Sequence, residues 1–533
     1  MILRATSRWL LALMMLAGLA HAPTARAEFA VVSIRSIDQA LADVKYVMKM
    51  AGKENEFAQV EGIVNSVLPT SGVDTKRPLG VMITKPTNDK PPALLFLPIH
   101  SEADLLERLR GFNLEITDLK DGLHSLDTPF GIKLYMKSAH KYLFVTDQQA
   151  LLKGELPDPL KTLSDAHLNN LFALSVRFDQ VPESEKKKLL DEVDRGITRE
   201  KERKSGESDS EHKGRLVGMQ LVRDMIAELL SDGKELGFSM KLDHEKHRLI
   251  GDLYMTAKPG STLAGRIDRF GQARSMFSCL CQSAAISMIM KLPIDDQIRK
   301  QFNDLIDTAY QEAMKQEENV VKKVLAEKIF KTLEPTLKSD VVDAAVVAYG
   351  PSEEGHLTGL AALRVRDGKK MEELARDLLR NMPEKDKSRF QQDVAKVDNV
   401  AIHCIRPPQG DPQAMAMFGS VDIYFAFRDD VFLVAIGKNG QNQMEYALRS
   451  LASAGTAKVG NPVQLELHLT QLIGLEKNEE KRSKAKQLAS EIFKDKQLDD
   501  VNFSLQGGDA FRVHLDASTH ILRFLVRLNE AGH

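Results

Sequence analysis

Four passages of this chain carry a short apolar strand through a polar or proline turn into an amphipathic helix. They occupy residues 29–47 (FAVVSIRSIDQALADVKYV), 172–193, 284–306 and 463–493. A recurring unit restricts the fold more tightly than composition does, because every copy must bury its apolar face in the same way. The second and third passages share Ala-x-Ser (Ala173 and Ser175, Ala285 and Ser287), then a proline (Pro182, Pro293), then an acidic first helical turn. Glu183 and Asp295 stand where the helix dipole favours negative charge.

The elements between these passages recur in the same order. Two strands and a helix over 78–111 return over 343–379. A hairpin and helix over 132–152 return over 421–448, and closing hairpins lie at 236–257 and 501–518. Apolar and polar residues alternate along these strands, as in an antiparallel sheet with one face buried. The expected fold class is α+β. It is read as two tandem copies of an antiparallel-sheet module, 28–258 and 259–533, each with amphipathic helices packed on one face. Domains hold about 100–200 residues, so a 533-residue chain accommodates both. Two segments interrupt the plan. A charged, Gly/Ser-rich stretch predicts a mobile loop at about 198–215. Residues 295–333 predict one long helix with an apolar stripe at Ile298, Phe302, Leu305, Ile306 and Ala309.

Residues 1–27 read as a secretory signal peptide: Arg4 and Arg8, a twelve-residue apolar core (WLLALMMLAGLA), and a polar tail ending in Ala25-x-Ala27. The core is shorter than the roughly 20 apolar residues of a membrane span. Cleavage is expected after Ala27, because the rival site Ala20-x-Ala22 would leave Pro23 at the new N-terminus. The mature chain is then exported and soluble, periplasmic or extracellular, with no membrane span. It would hold 533 − 27 = 506 residues. Three arginines and no acid leave with the leader, so 70 basic residues face 75 acidic ones, a net charge of −5. That balance lacks the clustered basic face a nucleic acid would need. The one tryptophan, Trp9, lies in the leader, which argues against a stacking platform for sugars or bases.

Only three cysteines occur, so disulfides do not hold an exported chain of this size together. Cys279 and Cys281 sit in SCLCQS, and Cys404 follows His403 in AIHCIRPP. An extended SCLCQS would place the Cα atoms of Cys279 and Cys281 about 6.6 Å apart, near the upper limit of about 6.8 Å for a disulfide. One of them could instead pair with Cys404. A metal site on Cys279, Cys281 and Cys404 needs a fourth ligand such as His403 or His356, yet His403 and Cys404 point to opposite faces of a strand. The plain alternative is packing beside Phe277 and Leu280, common for free cysteine. The histidines suggest no recognised arrangement. DHEKH (243–247) lacks the spacing of a zinc helix and reads as a solvated hairpin turn. His124 and His140 read as loop and turn residues, and His100 precedes Ser101, a helix cap with Asp104 three residues on. Ser-x-x-Lys at 138–141 falls in a hairpin turn, where an acyl enzyme needs a helix start, and the second match, at 184–187, reads like the first as coincidence in a Lys-rich chain. No nucleophile elbow, phosphate-binding loop or dinucleotide fingerprint is present.

SIRSIDQALADVKYVMKMAG, followed by Lys76-Arg77-Pro78-Leu79-Gly80, resembles a family of exported bacterial proteins of unknown function. In that family a short helix near the N-terminus leads into a strand through a KRP(L/I)G turn. The resemblance implies export and a duplicated α+β build, and it implies no activity. The function expected is a non-catalytic binding or scaffold protein of the periplasm or cell envelope, using no cofactor. Its partner would be an envelope protein or an apolar ligand, since no polar constellation is visible in both copies and the 20 methionines suit an adaptable apolar surface. One alternative is a hydrolase whose site is assembled from scattered residues around a cleft, with His100, His124 or Asp127 in it. Another is a metal or redox protein using the three cysteines.

Overall fold

The computed structural model describes residues 28–67, 72–84, 92–112, 114–128, 131–407, 411–453, 461–476, 478–494 and 498–531. The expected leader, 1–27, lies outside them. Two compact units emerge. One comprises the chain up to Gly196 with Ile226–Leu263, and the other comprises Ile197–Met225 with Ala264 onward.

The first unit contains β1 (Glu28–Ile34), β2 (Leu79–Thr84), β3 (Ala93–Pro98), β4 (Glu115–Asp118), β5 (Leu123–Asp127), β6 (Lys133–Ala139), β7 (Tyr142–Thr146), β8 (Phe172–Arg177), β9 (Gly233–Asp243) and β10 (Arg248–Ala257). They pair antiparallel in the order β10-β9-β8-β1-β2-β3-β7-β6-β5-β4. The second unit contains β11 (Ala284–Pro293), β12 (Val341–Tyr349), β13 (Thr358–Arg364), β14 (Phe390–Val397), β15 (Val400–Ile405), β16 (Ile423–Phe427), β17 (Val431–Ile436), β18 (Val463–His468), β19 (Asp500–Gln506) and β20 (Phe511–Ser518). Their order is β20-β19-β18-β11-β12-β13-β17-β16-β15-β14, again antiparallel throughout. Every pairing in the first unit has its counterpart ten strands later.

The register agrees as well. Val31 stands opposite Met82 and Ser175, and Ser287 stands opposite Val347 and Glu466. Phe96 faces Phe144 as Ala362 faces Leu433, and Tyr135 faces Ser125 as Tyr424 faces Cys404. Matched positions are buried alike: Met82 and Val347, Leu94 and Leu360, Tyr142 and Val431, Phe144 and Leu433. Volume is traded between neighbours. At Gly80 a Cβ would overlap the Val32 carbonyl oxygen and approach the Phe96 ring to 2.9 Å. The matching Ala345 is tolerated where small Ala362 replaces that ring.

Three expectations need correction. Helices pack on one face of the first sheet as expected, but its other face is not left bare: a 3-10 turn (Gln149–Leu152) and the loop and single-turn helix after it close that face over β7. On β7, Tyr142 and Phe144 pack against Leu152, Leu156 and Leu163, while Leu143 between them packs against Ile37, Leu105 and Leu106. Uninterrupted apolar runs such as YLFV on β7 and VFLVAI on β17 are the signature of strands buried on both sides. The single helix read at 295–333 is a helical hairpin, Asp296–Gln316 and Val320–Leu337. Asn319 starts the second helix by accepting hydrogen bonds from Val321 N and Lys322 N, at 3.0 and 3.1 Å. Stacked rings of Tyr310 and Phe330, 3.9 Å apart, close the hairpin. Finally, the helix Asp209–Asp232 begins inside the stretch read as loop. Arg215 holds the remaining turn through Glu207, at 2.7 and 2.8 Å, and the Glu202 carbonyl at 3.0 Å. Among the described residues no helix is long and apolar enough to cross a membrane.

Matched core positions predict matched costs. Phe144→Ala should lower unfolding free energy by about 3–5 kcal/mol and Leu433→Ala by about 2–5 kcal/mol, each leaving a cavity. Leu363→Ala, on an exposed side of β13, should cost under about 1 kcal/mol. Urea titration checks all three. A Leu433→Ala cost no larger than that of Leu363→Ala would contradict the assigned core.

Candidate functional site

Antiparallel pairing of β11 with β18 sets Ser287 opposite Glu466 and Ile289 opposite Gln464. These side chains share a sheet face, and His468 follows on that face two residues beyond Glu466. A 3-10 turn, Ser278–Cys281, passes over them. Between turn and strands lies a cleft of about 380 Å³, bounded on the turn side by Ser278, Cys281, Gln282 and Ser283. Among the described residues lining it, Ile289 alone lacks a polar group. Ser283 holds a left-handed backbone with φ 59°, a conformation that costs a non-glycine residue about 1–2 kcal/mol.

A buried carboxylate builds the turn. Asp343 of β12 accepts hydrogen bonds from the Ser275 hydroxyl at 2.6 Å and Met276 N at 3.2 Å, and burial raises its carboxyl above the usual range. Phe277 N donates to Ser275 Oγ at 3.1 Å, and Tyr349 donates to the Leu280 carbonyl at 2.5 Å. Phe277 and Leu280 are buried in the core of the unit, which leaves Ser278 and Cys281 to edge the cleft. Across it, Asp499 is buried and accepts from Thr470 N at 3.0 Å and from the Thr470 hydroxyl. Its second oxygen stands 3.2 Å from His468 Nδ1, while His468 Nε2 stands 3.3 Å from Glu466. Imidazole orientation is thereby set by two acids. Burial pushes the Cys281 thiol up to about 11, with Glu466 and Cys279 adding to the rise and the Ser287 hydroxyl opposing it. Cys281 is therefore a protonated thiol at neutral pH.

The cysteines do not act together. Their stretch is a 3-10 turn rather than a strand, and all three are free thiols. Cys279 donates weakly to the Met276 carbonyl at 3.8 Å. Cys404 lies on β15 among Tyr424, Asp422 and Arg406, a set that does not include Cys279 or Cys281. Among the described residues no three His, Cys, Asp or Glu side chains are placed to hold a metal ion. His356 pairs with Glu354 at 3.5 Å instead. The hydrolase candidates are scattered too: Asp127 makes an exposed pair with Lys133 at 3.6 Å, and on β5 it points away from the face of His124. Ser101 does cap its helix, accepting from Asp104 N at 3.2 Å.

A polar constellation does recur in both units, against expectation. His124 Nε2 lies 3.0 Å from Glu102 and its Nδ1 2.8 Å from Asp118, with Arg110 3.6 Å from Asp118. The register of β5 and β15 makes His403 its counterpart. His403 Nε2 lies 3.5 Å from Glu372, its Nδ1 accepts from Asp393 N at 3.3 Å, and Arg376 joins Glu372 and Asp393 at 2.7 and 2.6 Å. Burial and the Arg376 charge hold His403 below the ordinary histidine range. Each set ties a helix to the hairpin at one end of its sheet. The DHEKH turn is likewise tied down: His244 Nε2 is 2.6 Å from buried Asp43, and His247 Nδ1 is 2.7 Å from the Tyr46 hydroxyl.

One further histidine is enclosed. His167 is buried, with Nδ1 2.7 Å from Ser33 Oγ and Nε2 2.9 Å from Ser175 Oγ, and burial lowers its imidazole to about 4. The chain matches no family model, no curated protein and no solved structure.

His167 makes stability depend on pH. Its folded-state value lies below the unfolded 6.5, so its contribution is complete above about 6.5 and is lost as pH falls toward 4. That loss amounts to about 3 kcal/mol. The unfolding free energy of the native chain should therefore fall toward that of His167→Gln between pH 7 and 4. A difference between the two that stays constant over that range would contradict the assignment.

Proposed function

We propose that the protein is an exported, non-catalytic binding protein holding a small polar ligand in the cleft between the Ser278–Cys281 turn and strands β11 and β18. We further infer that its two units are copies of one module, with the second carrying the binding site. The observation that carries the reading is the cleft itself. It is concave, built on paired strands, and every described lining residue except Ile289 carries a hydrogen-bonding group. That lining favours a polar occupant over the apolar one expected from methionine content.

The chemistry of the site supports binding over turnover. Burial holds the Cys281 thiol protonated, and neither Lys nor Arg is among the described residues that line the cleft. Both nitrogens of His468 face carboxylates, so neither is hydrogen-bonded to a serine hydroxyl. A hydrolytic reading has one observation in its favour: Asp499 orients His468 as an acid orients a general base. It requires Nε2 to leave Glu466. Export rests on the leader pattern of residues 1–27.

Native and denaturing mass spectra of the chain, produced with its leader and recovered from the cell exterior or periplasm, test the reading. The expected result is a mature mass beginning at Glu28, with an adduct present in the native spectrum and lost on denaturation. Gln464→Trp, which fills the cleft, should remove the adduct. An adduct unaffected by Gln464→Trp would place the ligand elsewhere. Steady turnover of simple esters or amides, abolished by His468→Ala, would replace binding with catalysis.

A further inference from the structure

The cleft occupies a place that the first unit fills with its own side chain. Because Ser287 and Val31 hold matching registers, Ile289 corresponds to Ser33, and Glu466 corresponds to Ser175. In the first unit, Ser33 and Ser175 are the two hydroxyls that clasp the buried imidazole of His167. That unit therefore closes this patch of sheet with a planar nitrogen heterocycle of its own. In the second unit the matching positions, Ile289 and Glu466, line the cleft. Among the described residues no side chain fills the same patch there, and one of the two hydroxyls has become a carboxylate.

We propose that the cleft binds a small organic cation, a protonated amine or amidinium-type group, with Glu466 as its counter-charge. This rests on the reading that the cleft is a ligand site and names the class of its ligand. Three observations converge. Neither Lys nor Arg is among the described lining residues, and the charged groups at the site are Glu466 and His468, with Asp499 behind the histidine. Asp500 is also buried, directly opposite His468 in the β18–β19 register. Acids outnumber the one imidazole among the described residues of the site, and an excess of one sign of charge in a cleft concentrates the opposite sign. Second, Glu466 is about 29% exposed, and its one charged neighbour among the described residues is His468, at 3.3 Å. A partly desolvated carboxylate gains most from a donor that brings a full positive charge. Third, the rest of the wall can accept as well as donate: the hydroxyl oxygens of Ser278, Ser283 and Ser287 and the side-chain carbonyls of Gln282 and Gln464 can take N–H bonds from one ligand. An anion would meet Glu466 with neither Lys nor Arg among the described lining residues to offset it.

Isothermal titration of the mature chain with agmatine, putrescine and choline, set beside neutral acetamide and glycerol and anionic acetate and phosphate, tests the class. At least one cation should bind saturably in the millimolar range or tighter, weakened about tenfold or more by Glu466→Gln. The isosteric change keeps the fold, which its melting temperature verifies, and Glu476→Gln, outside the cleft lining, should leave binding unchanged. Binding of only neutral or anionic probes would overturn the cation class while leaving the cleft as a ligand site. Cation binding untouched by both Glu466→Gln and Gln464→Trp would place the cation elsewhere and overturn the proposal. No saturable binding by any probe would count against the class and the site together.

Discussion

The pairing of β11 with strands on both its edges is the constraint on which the second unit depends. Side chains alternate along a strand with a period of two, so a one-residue slip would send every residue to the other face. Ser287 and Ile289 reach the cleft only because β12 and β18 fix β11 in one register. Asp343 belongs to the same arrangement. It lies on β12, buried, and holds the turn that forms the opposite wall. Releasing it would leave a buried carboxylate without partners, a far larger penalty than a lost surface pair. One strand thus sets the floor of the cleft and its neighbour sets the roof.

Both units use this framework, and they differ in what they place on it. The first packs an imidazole between two serines and buries it, trading sensitivity to acid for a filled core. The second has an aliphatic residue at one serine position and a carboxylate at the other, and among its described residues a cleft lies over them. The paired histidine–acid–arginine sets show the opposite behaviour. They recur in both units with the same partners in kind, tying a helix to a hairpin.

Much of the sheet was legible in the sequence. Hairpins such as 236–257 and 501–518 announce themselves by alternation, and the order of the elements along the chain suggests the repeat. The second covering layer was harder to read. A strand such as VFLVAI carries no alternation to say which face is solvated, because neither is. Asn319 is a strong cap, yet its signal is local and is easily overrun by the helical periodicity on either side. The site was nearly invisible for a different reason. Cys281, Glu466 and Asp499 meet across more than 180 residues, and each is ordinary in its own neighbourhood. His124 reads as a loop residue until β4 and a helix bring it two acids. His167 and the DHEKH turn likewise acquire their partners, Ser33 and Asp43, only through tertiary contact. The cysteine hexapeptide drew attention because cysteine is rare here, while the cleft it borders is defined mainly by commoner residues.

Binding at the cleft requires an occupant beside Glu466. The most direct measurement is a crystal structure of the protein isolated from its own cells without exchange of bound small molecules. It should show density for a small molecule between the Ser278–Cys281 turn and β18, with a nitrogen within hydrogen-bond distance of the Glu466 carboxylate. A cleft holding only water, with a bound molecule seated elsewhere on the chain, would contradict it.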